Sequence, residues 1–98
     1  MDAKLPLPRS VPDLWILQAL SRGESRAGDI ARWIRDATGG VLDVEVAALH
    51  PALRRLERRG WVEPRRTATE SGRAVREYAL TGSGARELSR APTSMRTD

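Results

Sequence analysis

The stretch VAALHPALRRLERRGW, residues 46–61, constrains this chain's fold more than any other. On a wheel of about 100° per residue, Val46, Leu49, Leu53 and Leu56 fall in one narrow sector. Ala47, Pro51, Arg54 and Arg58 fall opposite. The segment therefore reads as one amphipathic helix, with Gly60 ending it as the C′ residue. Pro51 complicates this, because it lacks an N–H and its ring clashes with the carbonyl four residues back. The helix must start near His50 or bend there. Arg54 and Arg58 add like charges at i, i+4, which cost an isolated helix roughly 0.2–0.5 kcal/mol. A partner rich in phosphate would explain why that cost is tolerated.

The charge distribution points the same way. Residues 54–76 hold eight arginines (54, 55, 58, 59, 65, 66, 73, 76) against three glutamates (57, 63, 70), a local +5 in a chain whose total is +4. Arginine's planar fork suits bidentate binding of phosphate or guanine, although heavy arginine use also follows from a GC-rich genome. The clustering is therefore the stronger signal.

A chain of 98 residues is one small domain with one modest core. Its 40% apolar and 31% charged residues are a globular balance. No apolar run approaches the roughly 18 residues of a membrane span, and no charged-then-apolar leader opens the chain, so a cytoplasmic protein without membrane contact is expected. There is no cysteine, and His50 is the single histidine, so neither a thiolate site nor a metal site is expected. Catalysis would need a nucleophile with a base, or paired carboxylates, in a pocket. One histidine with dispersed acids supplies neither, and a non-enzymatic protein without a cofactor is the expectation.

Along the chain, Pro6, Pro8 and Pro12 break regularity, so residues 1–10 read as an extended arm. Pro12 suits the first turn of a helix. Leu14, Ile16, Leu17, Ala19 and Leu20 make that first helix strongly apolar. Ser25 is a plausible N-cap for a second helix with Ala27, Ile30, Ala31 and Ile34 as its stripe, stopped by Gly39 and Gly40. VLDV at 41–44 is a short extended connector to helix three. WVEPRR at 61–66 reads as a strand that Pro64 confines to a sheet edge, and TATESGR at 67–73 as a turn. AVREYALT alternates, with Arg76, Tyr78 and Leu80 on one face, and returns as the second strand of a hairpin. Thr81 caps a fourth helix carrying Ala85 and Leu88 that fades at Ala91-Pro92, leaving residues 92–98 as a disordered tail. Trp15, Trp33 and Trp61 are the main bulky core fillers in a chain without phenylalanine; stacking on a flat ligand is the less favoured role.

Helix, helix, helix, hairpin, helix is the order of a winged helix-turn-helix, a mainly α fold with a small β-hairpin, here over residues 11–91. The sequence also resembles the PadR-like transcriptional regulators. LWILQAL at 14–20, ALHPALRRLERRGWVE at 48–63 and REYALTGSGARELSR at 76–90 carry the resemblance. It departs where members commonly show His-Gly-Tyr and this chain has Arg26-Ala27-Gly28, and where Gly-Thr-Leu-Tyr-Pro is replaced by Ala47-Ala48-Leu49-His50-Pro51.

The resemblance favours a bend at Pro51. It implies a sequence-specific transcriptional regulator acting on double-stranded DNA as a repressor, with helix three in the major groove and the hairpin wing on the flanking minor groove. The candidate DNA-binding residues are Arg26, Ala47, Ala48, His50, Pro51, Arg54, Arg55, Arg58, Arg65, Arg66, Arg73 and Arg76. His50, at the border of the apolar face, suits a packing or helix-surface role as well as a base contact. The alternative is a winged-helix adaptor whose arginines meet an acidic protein. Members commonly continue into a C-terminal dimerisation region that in some binds effectors. An effector is thus allowed here, though no residue supports one. A homodimer is expected through Leu5 and Leu7 of the arm, Leu14 and Trp15 of the first helix, and Leu88 of the fourth.

Overall fold

The structure, a computed structural model, describes residues 13–90. The arm with Leu5 and Leu7, Pro12 and the tail at 92–98 lie outside the described residues. The elements run α1 (Asp13–Leu20), α2 (Ala27–Ala37), α3 (Val46–Arg58), β1 (Val62–Ala68), β2 (Ala74–Leu80) and α4 (Gly82–Ser89). This is the winged helix order expected from the sequence.

The core follows from helical spacing. Ala27, Ile30, Ala31 and Ile34 of α2, and Leu49, Ala52, Leu53 and Leu56 of α3, each recur at i, i+3, i+4, i+7 and are buried. Between them sit Ile16, Leu17, Ala19 and Leu20 of α1, with Val62, Tyr78 and Leu88 closing the cluster. Ala52 joins this face on the border away from Val46, and Val46, which the wheel put in the same sector as the leucines, is exposed at the first turn of α3.

The helix α3 runs through Pro51 without starting at His50. The carbonyl left without its donor belongs to Ala47, an exposed residue, so water can satisfy it. At the other end Gly60, at φ +78°, closes a Schellman turn. Its N–H donates to Glu57 at 2.9 Å, and the Trp61 N–H donates to Leu56 at 3.1 Å.

Ser25 does not cap α2. Arg26 holds that position with no side-chain cap, and the Ser25 hydroxyl donates to the Gly23 carbonyl at 3.1 Å. Ser25 serves instead as a one-residue third strand. Its N–H donates to the Tyr78 carbonyl at 3.1 Å and its carbonyl accepts from the Tyr78 N–H at 2.8 Å. This decides the geometry of the hairpin. Tyr78 directs both backbone groups at Ser25, so its pair with Pro64 across the hairpin is a non-hydrogen-bonded one. The missing N–H of Pro64 therefore faces outward and costs the ladder nothing, as the edge-strand reading required.

The first strand runs further than its pattern suggested, to Ala68, while the second starts at Ala74 as expected. The turn is correspondingly shorter. The Thr69 N–H donates to the Arg73 carbonyl at 2.9 Å and the Arg73 N–H donates to Thr69 Oγ1 at 3.1 Å.

Thr81 caps α4 as expected, its Oγ1 accepting from the Gly84 N–H at 3.0 Å while the hydroxyl donates to the Gly60 carbonyl at 2.6 Å. Gly84 and Leu88 are the buried residues of α4, and Ala85 is exposed.

The tryptophans do not fill the core. The buried centre is aliphatic, and Trp15, Trp33 and Trp61 pack half-buried against its outside. The Trp15 and Trp33 rings lie 6.2 Å apart at 52°, and Arg22 approaches Trp33 at 5.8 Å from the ring centre. The same bulk that fills a large core suits the rim of a small one, where the indole N–H keeps access to water. Leu88, expected at a subunit contact, is buried in this chain's own core. Leu14 and Trp15 remain partly exposed.

Candidate nucleic-acid interface

The helix α3 and the strand β2 enclose an open depression of about 310 Å³ lined by His50, Arg54, Glu57, Arg58, Arg76 and Tyr78. The helical period brings His50, Arg54 and Arg58 onto one exposed face, because residues four apart lie nearly above one another. Arg76 comes from the hairpin and lies over Tyr78, with its guanidinium carbon 5.8 Å from the ring centre. The aromatic face attracts and orients the cation.

Arg76 also lines a second hollow of about 230 Å³ with Arg66, Ala74 and Val75. Arg66 stands directly opposite Arg76 in the hairpin. Alternation from the Pro64–Tyr78 pair makes this another non-hydrogen-bonded pair, the type in which facing side chains come closest. Like charges placed so are unfavourable unless an anion joins them. Among the described residues Arg26, Arg54, Arg58, Arg66, Arg73 and Arg76 form no ion pair. One hairpin face thus continues the arginine face of α3.

Two of the expected DNA-binding arginines are engaged elsewhere. The Arg55 guanidinium donates to Asp13 of α1, with Nη2 2.5 Å from the carboxylate. That hydrogen bond raises the Arg55 pKa, with partial burial opposing it. Arg55 lies on the side of α3 that meets α1, which a wheel drawn without its neighbours cannot reveal. Arg65 pairs with Glu63 at 2.9 Å and with Glu24 of the α1–α2 loop at 3.1 Å. Its raised pKa comes first from the Glu63 hydrogen bond and then from the charge of Glu24. Arg65 belongs to the opposite hairpin face, beside Glu77.

Arg55→Ala should lower stability by about 1 kcal/mol, roughly 4–8 °C in Tm, and leave the salt dependence of any DNA binding unchanged. Thermal melts paired with binding titrations at several salt concentrations check this.

His50, Ala47 and Pro51 are exposed and Ala48 is partly buried, so His50 does not take the packing role. Arg26, at the N-cap position of α2, and Arg73, at the hairpin turn, are also exposed. The ring of Tyr78 and the carboxylate of Glu57 complete the depression, beyond the residues that the sequence marks as candidates. The Arg-x-Tyr alternation in REYAL carried the signal for Tyr78, since it puts both side chains on one face of a strand.

Residues 16–90 match the Transcriptional regulator PadR-like family. This chain belongs to that family. No curated protein matches it by sequence.

Solved structures agree with the PadR-like assignment. A transcriptional regulator from Clostridium thermocellum superposes with a TM-score of 0.70 at 26% identity, over 80% of this chain and 75% of that one. Bacillus subtilis PadR in complex with operator DNA gives 0.69 at 27% identity, over 79% of this chain and 42% of that one. A PadR family regulator from Clostridium difficile gives 0.69 at 22% identity, over 79% of this chain and 78% of that one, a likeness of fold. The PadR-like chain thus spans less than half of the Bacillus protein and about three quarters of the other two. Among its described residues no helix is long and apolar enough to cross a membrane.

Proposed function

We propose that this PadR-like protein is a sequence-specific DNA-binding repressor that acts as a homodimer, with α3 in the major groove and the hairpin along the flanking minor groove. One observation carries the reading: unpaired arginines from two elements converge on one face, with Arg54 and Arg58 from α3 and Arg66 and Arg76 from the hairpin. A phosphate accepts two parallel N–H bonds from a guanidinium. Successive phosphates along a duplex suit cations spread over a helix and an adjoining ribbon. The operator complex of Bacillus subtilis PadR supports the same use of the fold.

The experiment is binding to the region upstream of the protein's own gene and to random duplex, each over a range of salt. Affinity should fall steeply with salt on both, and the upstream region should be preferred at least about tenfold. Salt-insensitive or absent binding to both would move the arginine face to an acidic protein, the adaptor reading.

Pairing of two copies rests on the half-buried apolar side chains of Leu14, Trp15 and Trp33, the two indoles of which lie side by side. Leu5 and Leu7 of the arm are the sequence neighbours able to extend this apolar set. Sedimentation at micromolar concentration should give a dimer for the full chain and a weaker one for a chain lacking residues 1–10. A full chain monomeric both alone and on DNA would remove the homodimer.

A further inference from the structure

The exposed face of α3 changes character along its length. Val46, Ala47, His50, Pro51, Arg54 and Arg58 fall within a sector of about 140°, and all are exposed. The arginines begin only at Arg54. The turn ahead of them carries Val46 and Ala47, and its sole polar side chain is that of His50. Val46 is 43% exposed and Val41 72%, the two exposed large hydrophobic side chains among the described residues. A valine at the head of an exposed helix gains nothing from water, and the aliphatic core does not use it.

We infer that Val46 and Ala47 read the C5-methyl groups of thymines on the floor of the major groove, so that the operator's thymines are recognised by apolar contact. The inference rests on the proposed DNA-binding reading. Thymine is the base that offers a methyl group in that groove, and small apolar side chains are its natural contacts. The dimensions agree. Val46 lies about 12 Å along the helix axis from Arg54, and the groove is roughly 8.5 Å deep and 12 Å wide. With Val46 at the floor, Arg54 and Arg58 reach the phosphates at the rim. Those arginines, with Arg76 and Glu57 beside them, make a mainly cationic frame behind the apolar head, toward the C-terminal half of α3. An apolar protein surface would not call for such a frame, whereas a duplex does.

The test uses the full chain and duplexes that it selects from a randomised library, remade with deoxyuridine in place of thymidine. Uracil keeps every hydrogen-bonding group of thymine and lacks only the methyl. Affinity should fall about fourfold for each methyl covered. Val46→Ser, at an exposed first-turn position, should keep the wild-type Tm and show a smaller loss on the deoxyuridine version than the wild type, by about fourfold for each methyl that Val46 covers. Equal affinity of the wild-type protein for both versions overturns the inference, as does an equal loss in wild type and Val46→Ser, which would trace to duplex shape. A protein that binds no duplex at any salt overturns instead the DNA-binding reading beneath it.

Discussion

Gly84→Ala is expected to destabilise the domain by about 3 kcal/mol, and so to lower the Tm by roughly 12–24 °C. A methyl group built on Gly84 would lie 2.1 Å from the Trp61 carbonyl oxygen and 2.8 Å from Leu80 Cδ1. The first of these is backbone and cannot swing aside. The Trp61 carbonyl also accepts the Thr81 N–H at 3.1 Å, so moving it disturbs the end of the hairpin as well as the start of α4. Separating the two elements would in turn uncover Leu88 and the α1 surface beneath it. Ala85→Gly, at an exposed position of the same helix, is the control and should cost only about 1 kcal/mol. Thermal melts of the two variants decide between a close backbone approach and a simple helix-propensity effect: similar losses in both would remove the packing argument.

The combined replacement of Arg54, Arg58 and Arg76 by alanine should cut affinity for duplex DNA on the order of a hundredfold near 0.1 M salt. Each lost phosphate contact releases about one counterion fewer, so the slope of log affinity against log salt should flatten by about three. Folding should be little affected, since all three side chains are exposed and none holds an ion pair among the described residues. Binding isotherms at four or more salt concentrations, with a melt of the same preparation, test both halves. A lost Tm with an unchanged slope would make these arginines structural.

The element order was legible because the elements bury repeating faces. The 27/30/31/34 stripe and the leucines of α3 each state a helix and its buried side without outside information. The cap at Thr81 and the stop at Gly60 are equally local. What escaped depends on neighbours distant in sequence. Ser25 has the chemistry of a cap, and only Tyr78, arriving from the hairpin, makes it a strand residue. Arg55 and Arg65 look like their neighbours Arg54 and Arg66 in a charge count. They differ because Asp13 and Glu24, on other elements, stand within reach. The tryptophans were misjudged by volume, since α1 to α3 already fill the centre with aliphatic side chains. The arginine face was visible as composition, and the hairpin register divided it into phosphate-facing candidates and internally neutralised ones.

The outward position of Pro64 bears on how the molecule behaves when crowded. A strand edge with free N–H and C=O groups is a template on which another chain can add, and short hairpins that project from a domain are prone to it. Among the described residues β1 has β2 on one side and no strand on the other. At the middle of that open side the donor is absent, and the charged side chains of Glu63, Arg65 and Arg66 surround the gap. A second wing approaching edge to edge would find no continuous ladder. The wing is thereby a poor template for other wings, so that copies of this chain at high concentration are kept from joining into ribbons through their hairpins.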